Sequence, residues 1–76
     1  MERYANLKGD SAISSYEIGN NYILVEFISG SIYEYTYTSA GASNIETMKT
    51  LAELGSGLNS FINSYVKNQY SRKIKQ

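Results

Sequence analysis

Apolar and polar positions alternate most clearly over residues 22–28 and 32–38, which read YILVEFI and IYEYTYT around Ser29, Gly30 and Ser31. Period-2 alternation of β-branched and aromatic residues around a glycine-containing turn predicts two antiparallel strands. Residues 11–18, SAISSYEI, are rich in the same residue types but alternate weakly, and they predict a strand that reaches the next through Gly19, Asn20 and Asn21. Gly and Asn adopt positive φ at low cost, as tight turns require. Together these segments predict a three-stranded antiparallel meander.

Register then decides which side chains share a face, because a slip of one residue exchanges the faces. Pairing Phe27 with Tyr33 and Ile28 with Ile32 across a three-residue loop places Ile23, Val25, Phe27, Tyr33, Tyr35 and Tyr37 together. The other face then shows Tyr22, Leu24, Glu26, Ile28, Ile32, Glu34, Thr36 and Thr38.

Downstream the period changes to that of a helix. Ser43 and Glu46 have capping-box spacing ahead of Ile45, Met48, Leu51 and Ala52, and Gly55 predicts the stop. Leu58, Phe61, Ile62, Tyr65 and Val66 repeat at i, i+3, i+4, i+7 and i+8, predicting a second helix over residues 58–70 with Phe61 mid-stripe in the core. The expected fold is α+β, a three-stranded meander followed by two helices packed on the face that carries the tyrosines. Residues 1–10 read as a lead-in, 11–70 as one βββαα domain and 71–76 as a basic tail.

Composition narrows the chemistry. The 76 residues hold no Cys and no His, which removes the thiol nucleophile, the commonest general base and any ordinary zinc site. The acids are scattered singly, so no catalytic and no metal-ligating residues are assigned and no cofactor is expected; the chain reads as a binding module, not an enzyme. Gly55, Ser56 and Gly57 could cradle an anion ahead of the second helix, or serve only as a C-cap and turn. No secretory signal or membrane-spanning run is recognisable, and a cytoplasmic, bacterial or phage-type protein is expected, with no membrane partner and no small-molecule substrate.

Charge is balanced overall but not along the chain. Residues 1–66 carry three cations against seven acids, and residues 67–76 carry four cations and no acid. Such asymmetry suits a nucleic-acid arm, though the plainer reading is the cation preference of a helix end. The tyrosine row has two readings as well: a core wall, or a platform on which bases stack. Two binding surfaces follow. The leading one is Leu24, Ile28 and Ile32 on the uncovered face, a candidate interface for another protein or a second copy. The alternative is a candidate nucleic-acid surface of Lys67, Tyr70, Arg72, Lys73 and Lys75, helped by Tyr65 and the tyrosines at the rim.

Ile13, the run Ile23, Leu24, Val25, Glu26 and Phe27, then Gly30, Tyr33 and Tyr35, and finally Gly57, Asn59, Ile62 and Tyr65 follow one order of features. In that order the chain resembles the KTSC domain, a module found at the C-terminus of some lysyl-tRNA synthetases and in stand-alone bacterial proteins, as a diverged relative or a sister family. The Val-Pro usual after the paired tyrosines is replaced here by Thr36, Tyr37 and Thr38. The resemblance implies a domain without catalytic residues, for which RNA binding has been suggested.

Overall fold

The computed structural model describes residues 1–75; Gln76, the last residue of the expected tail, lies outside the described residues. Five strands are present: β1 (Glu2–Arg3), β2 (Ile13–Ile18), β3 (Tyr22–Phe27), β4 (Ile32–Thr36) and β5 (Arg72–Lys75). Between β4 and β5 lie α1 (Tyr37–Ala40), α2 (Ala42–Leu54) and α3 (Leu58–Phe61), which runs into a π-helical turn, Ile62–Val66. The sheet is antiparallel throughout, in the order β1-β2-β3-β4-β5.

The α+β class and the central meander are as expected, but the sheet has five strands, not three. The two additions are the expected lead-in and the expected tail. Neither short segment carries an apolar alternation, since every residue of β1 and β5 is exposed. Each is held by backbone pairing to its neighbour, and short, charged strands are what sheet edges ordinarily carry. The lead-in also reaches the core. Tyr4 is buried, and its hydroxyl oxygen accepts a hydrogen bond from the Leu58 amide at 3.3 Å.

The β3–β4 register is Val25 opposite Tyr33 and Ile23 opposite Tyr35, two residues away from the expected pairing. A shift of two preserves the faces, so Ile23, Val25, Tyr33 and Tyr35 still share one side. Gly30 accounts for the shift. The loop is residues 28–30, with the Gly30 amide bonded to the Phe27 carbonyl and the Phe27 amide to that of Ser31. Three-residue hairpin loops need a left-handed last residue, and Gly30 takes it at φ 98°; a loop over 29–31 would have required Ser31 there.

A bulge between Ile13 and Ser15 explains the weak alternation of β2. The extra residue brings Ile13 and Tyr16 to one face although they are three apart. The β2–β3 turn does without the positive φ expected of it, for Gly19, Asn20 and Asn21 all have ordinary φ. Gly19 is there for space instead: the Tyr22 ring lies across it where a Cβ would stand. The Tyr22 hydroxyl donates to Glu17 at 3.0 Å.

The helices depart from expectation at their ends. Thr36 Oγ1 accepts from the Ser39 amide and Ser39 Oγ from the Thr36 amide, each at 3.0 Å, so the capping box stands here. It ends β4 and turns Tyr37 outward, 37% exposed, out of the strand row. The expected box at Ser43 and Glu46 is not made, because α2 starts after Gly41 and Ser43 already lies within it. Glu46 instead takes the Tyr37 hydroxyl and Lys49, whose Nζ also reaches the Asn20 carbonyl at 2.9 Å and so ties α2 to the β2–β3 turn. Gly55 ends α2 as expected.

The second helix stops at Val66, short of residue 70. Leu58, Ile62 and Val66, four apart, are buried. The i→i+5 bonding of a π-turn underwinds the helix, which keeps residues four apart in line. Phe61 and Tyr65 therefore fall on the flank and stack on each other at 4.8 Å, Phe61 half-buried and Tyr65 65% exposed. The core lies between one sheet face (Ile13, Ile23, Val25, Tyr35) and the helices (Ile45, Met48, Ala52, Leu58, Ile62, Val66). Among the described residues no helix is long and apolar enough to cross a membrane.

Candidate functional site

The uncovered sheet face does not gather the apolar patch expected of Leu24, Ile28 and Ile32. One cross-strand row runs Glu17, Leu24, Glu34, Arg72, and the next runs Ser15, Glu26, Ile32, Lys75. Leu24 thus stands between two glutamates, and Ile32 between Glu26 and Lys75. Each carboxylate already has a partner. Glu17 accepts from Tyr22, Glu26 from Ser15 Oγ at 3.2 Å, and Glu34 from Arg72 Nε at 2.9 Å. Ile28 has left the strand altogether and sits in the β3–β4 loop, 73% exposed. Two half-buried apolar side chains in a polar lattice are ordinary surface.

A different surface forms on the helical side, where the β3–β4 hairpin extends past the helical cover. A groove of about 400 Å³ opens there between the hairpin loop and the chain leaving the π-turn. Strand alternation brings Phe27, Tyr33 and Tyr35 to it from the covered face. Ile28 and Ser29 come from the loop, Ser31 from just after it, and Ile62, Asn63, Lys67, Asn68 and Tyr70 from the opposite wall. The rings meet edge to face: Phe27 and Tyr33 at 5.6 Å, Tyr33 and Tyr70 at 4.8 Å, Tyr35 and Tyr70 at 6.4 Å. Such contacts contribute about 0.5–1.5 kcal/mol each beyond their burial.

Depth divides these tyrosines. Tyr35 is 2% exposed and belongs to the core, and burial, then the nearby Tyr33 and Tyr70, push its phenol up to about 12. Tyr33 is half-buried, and Tyr70 is 38% exposed. Lys73 Nζ lies 5.3 Å from the centre of the Tyr33 ring, within cation–π reach. Among the described residues lining the groove none is acidic.

The candidate nucleic-acid residues are therefore split. Lys67 and Tyr70 line the groove and Lys73 adjoins it. Arg72 is paired with Glu34, since successive strand residues point to opposite faces, and Lys75 pairs with Ile32 at the end of the sheet. Tyr65 stays on the flank with Phe61. Phe27, Asn63 and Asn68 were not expected here. Phe27 carried a signal, being the last inward residue before the hairpin turn, beyond the helices' reach. The two asparagines carried none. Gly55, Ser56 and Gly57 form a C-cap and turn, with Gly55 packed against Ala5.

No protein-family model matches the chain, and neither a curated protein nor a solved structure is detectably similar to it, so the KTSC resemblance rests on its motif residues alone.

Proposed function

We propose that this chain works by binding, not catalysis, and that its ligand is nucleic acid held at the aromatic groove. One observation carries the reading: Phe27, Tyr33 and Tyr70 converge with Lys67 and Lys73 at a recess whose described lining includes no carboxylate. Aromatic faces suit bases and cations suit phosphates, and sequence-tolerant binders combine the two. Self-association through the open sheet face has less support, because Glu17, Glu26 and Glu34 interrupt its apolar positions.

Anisotropy of a dye-labelled RNA oligonucleotide over a salt series tests the proposal. Two groove cations predict a log–log salt slope near −1.4 for a single strand, at about −0.7 per phosphate contact. Lys67→Gln combined with Lys73→Gln should weaken binding and flatten the slope, and Arg72→Gln, already neutralised by Glu34, should change little. Absence of binding at low salt, or a double variant that binds like the parent, would overturn it.

A further inference from the structure

We infer that the groove takes an unpaired base of a single strand and discriminates against duplex; this rests on the proposed function and narrows its ligand. Phe27 and Tyr33 stand at 90° and Tyr33 and Tyr70 at 73°. Neither pair is stacked face to face, and Tyr70, 38% exposed, is the ring that a planar base entering the recess can meet. At about 400 Å³ the recess falls low in the range of small-ligand pockets, ~300–1,000 Å³, enough for one or two bases and far too small for a helical rod. Bases inside a duplex have both faces stacked, and recognition of duplex RNA works by shape and backbone, whereas aromatic recognition uses splayed, unpaired bases.

Charge points the same way. With Lys67 and Lys73 as the groove's cations, about two phosphates are contacted, and a backbone-only mode would be weak and quickly lost in salt. Stacking must then supply the larger share of affinity, about 5- to 150-fold for each base engaged. Tyr70 is the ring to test. It is the most exposed of the three, and it packs on Tyr33 and Tyr35 from outside the core.

The experiment measures anisotropy of the intact chain with three labelled ligands: a single-stranded RNA, that strand annealed to its complement, and an abasic strand of equal length. The single strand should bind about tenfold or more tighter than either of the others. Tyr70→Phe should keep that advantage and Tyr70→Leu should remove it, with circular dichroism confirming that both variants fold. Because the three ligands are compared on the unaltered protein, the result does not depend on the variants. Equal affinity for the duplex or the abasic strand would overturn base capture while leaving nucleic-acid binding at the groove intact. Failure of all three to bind would overturn both.

Discussion

Tyr35→Phe, followed into alkaline solution, measures how completely the sheet's central ring is shielded. The substitution keeps the ring that fills the core and removes only the hydroxyl. In the unfolded chain a tyrosine titrates near 10, and in the folded protein Tyr35 is pushed up to about 12, chiefly by burial. Below about pH 10 both states hold the proton and stability is unaffected by it. Between about pH 10 and 12 the unfolded chain releases the proton while the folded one keeps it. The unfolded state then binds fewer protons, so stability falls as pH rises and is lost through the folded pKa. Each pH unit between the two titrations is worth about 1.4 kcal/mol, so the loss by about pH 12 is about 2–3 kcal/mol. At about 0.05–0.15 kcal/mol per residue, that is a large share of the stability of a 76-residue chain. Tyr16, Tyr22 and Tyr37 are raised too and act in the same direction; comparison of Tyr35→Phe with the parent isolates the one ring. Urea unfolding by circular dichroism at stepped pH should show the parent losing about 2–3 kcal/mol more than the variant across this window. Parallel decline would mean that Tyr35 ionises like a free phenol, and its placement in the core would be wrong.

Leu58→Ala should cost about 2–5 kcal/mol, whereas half-buried Phe61 should lose no more than about 1–2 kcal/mol on truncation to Ala; thermal melts that reversed this order would contradict the underwound π-turn. Gly19→Ala should cost about 1–3 kcal/mol by forcing the Tyr22 ring aside, and a second change, Tyr22→Ser, should recover most of the loss if the ring is the obstacle. Thr36→Ala should cost about 1 kcal/mol as a lost cap, while Ser43→Ala should stay within about 0.5 kcal/mol; urea midpoints of the two variants decide whether the cap stands at the end of β4 or within α2.

What was legible in the chain is what carries a repeating pattern. The β3–β4 hairpin, the apolar stripe of α2 and its stop at Gly55 rest on periodicity and glycine chemistry, and all three stand in the structure. The register was readable in principle, since only Gly30 could serve as the left-handed end of a three-residue loop, but apolar matching cannot separate two registers that differ by two residues. β1 and β5 were not legible. Their residues are exposed and charged, and what makes them strands is the backbone of β2 and β4 beside them. The π-turn was hidden for the opposite reason, because its residues fit an α-helical stripe so well that the i+3 partners, Phe61 and Tyr65, read as core.

The candidate site shows how a local reading goes astray without being empty. Charge asymmetry singled out Lys67 and Lys73, with Tyr70 beside them, but placed Lys67 and Tyr70 at the end of a helix and Lys73 in a free tail, and alternation singled out Tyr33, but as a member of a uniform row. The fold joins them by one step that leaves no mark in composition: the chain reverses after Val66 without glycine or proline, and Ser71 donates to the Glu34 carbonyl to start β5. That pairing holds Tyr70 and Lys73 against Tyr33 and sends Arg72 to the other face. Edge strand and groove are thus one structure. Order in β5 anchors the chain that carries Tyr70 into the outer wall of the recess, and a ligand that binds only the assembled wall would stabilise β5 in turn by mass action. The exposed, charged residues of β5 have β4 as their strand partner, so the order of the last strand rests on that pairing and on the Tyr70 ring packed against Tyr33 and Tyr35 just before it.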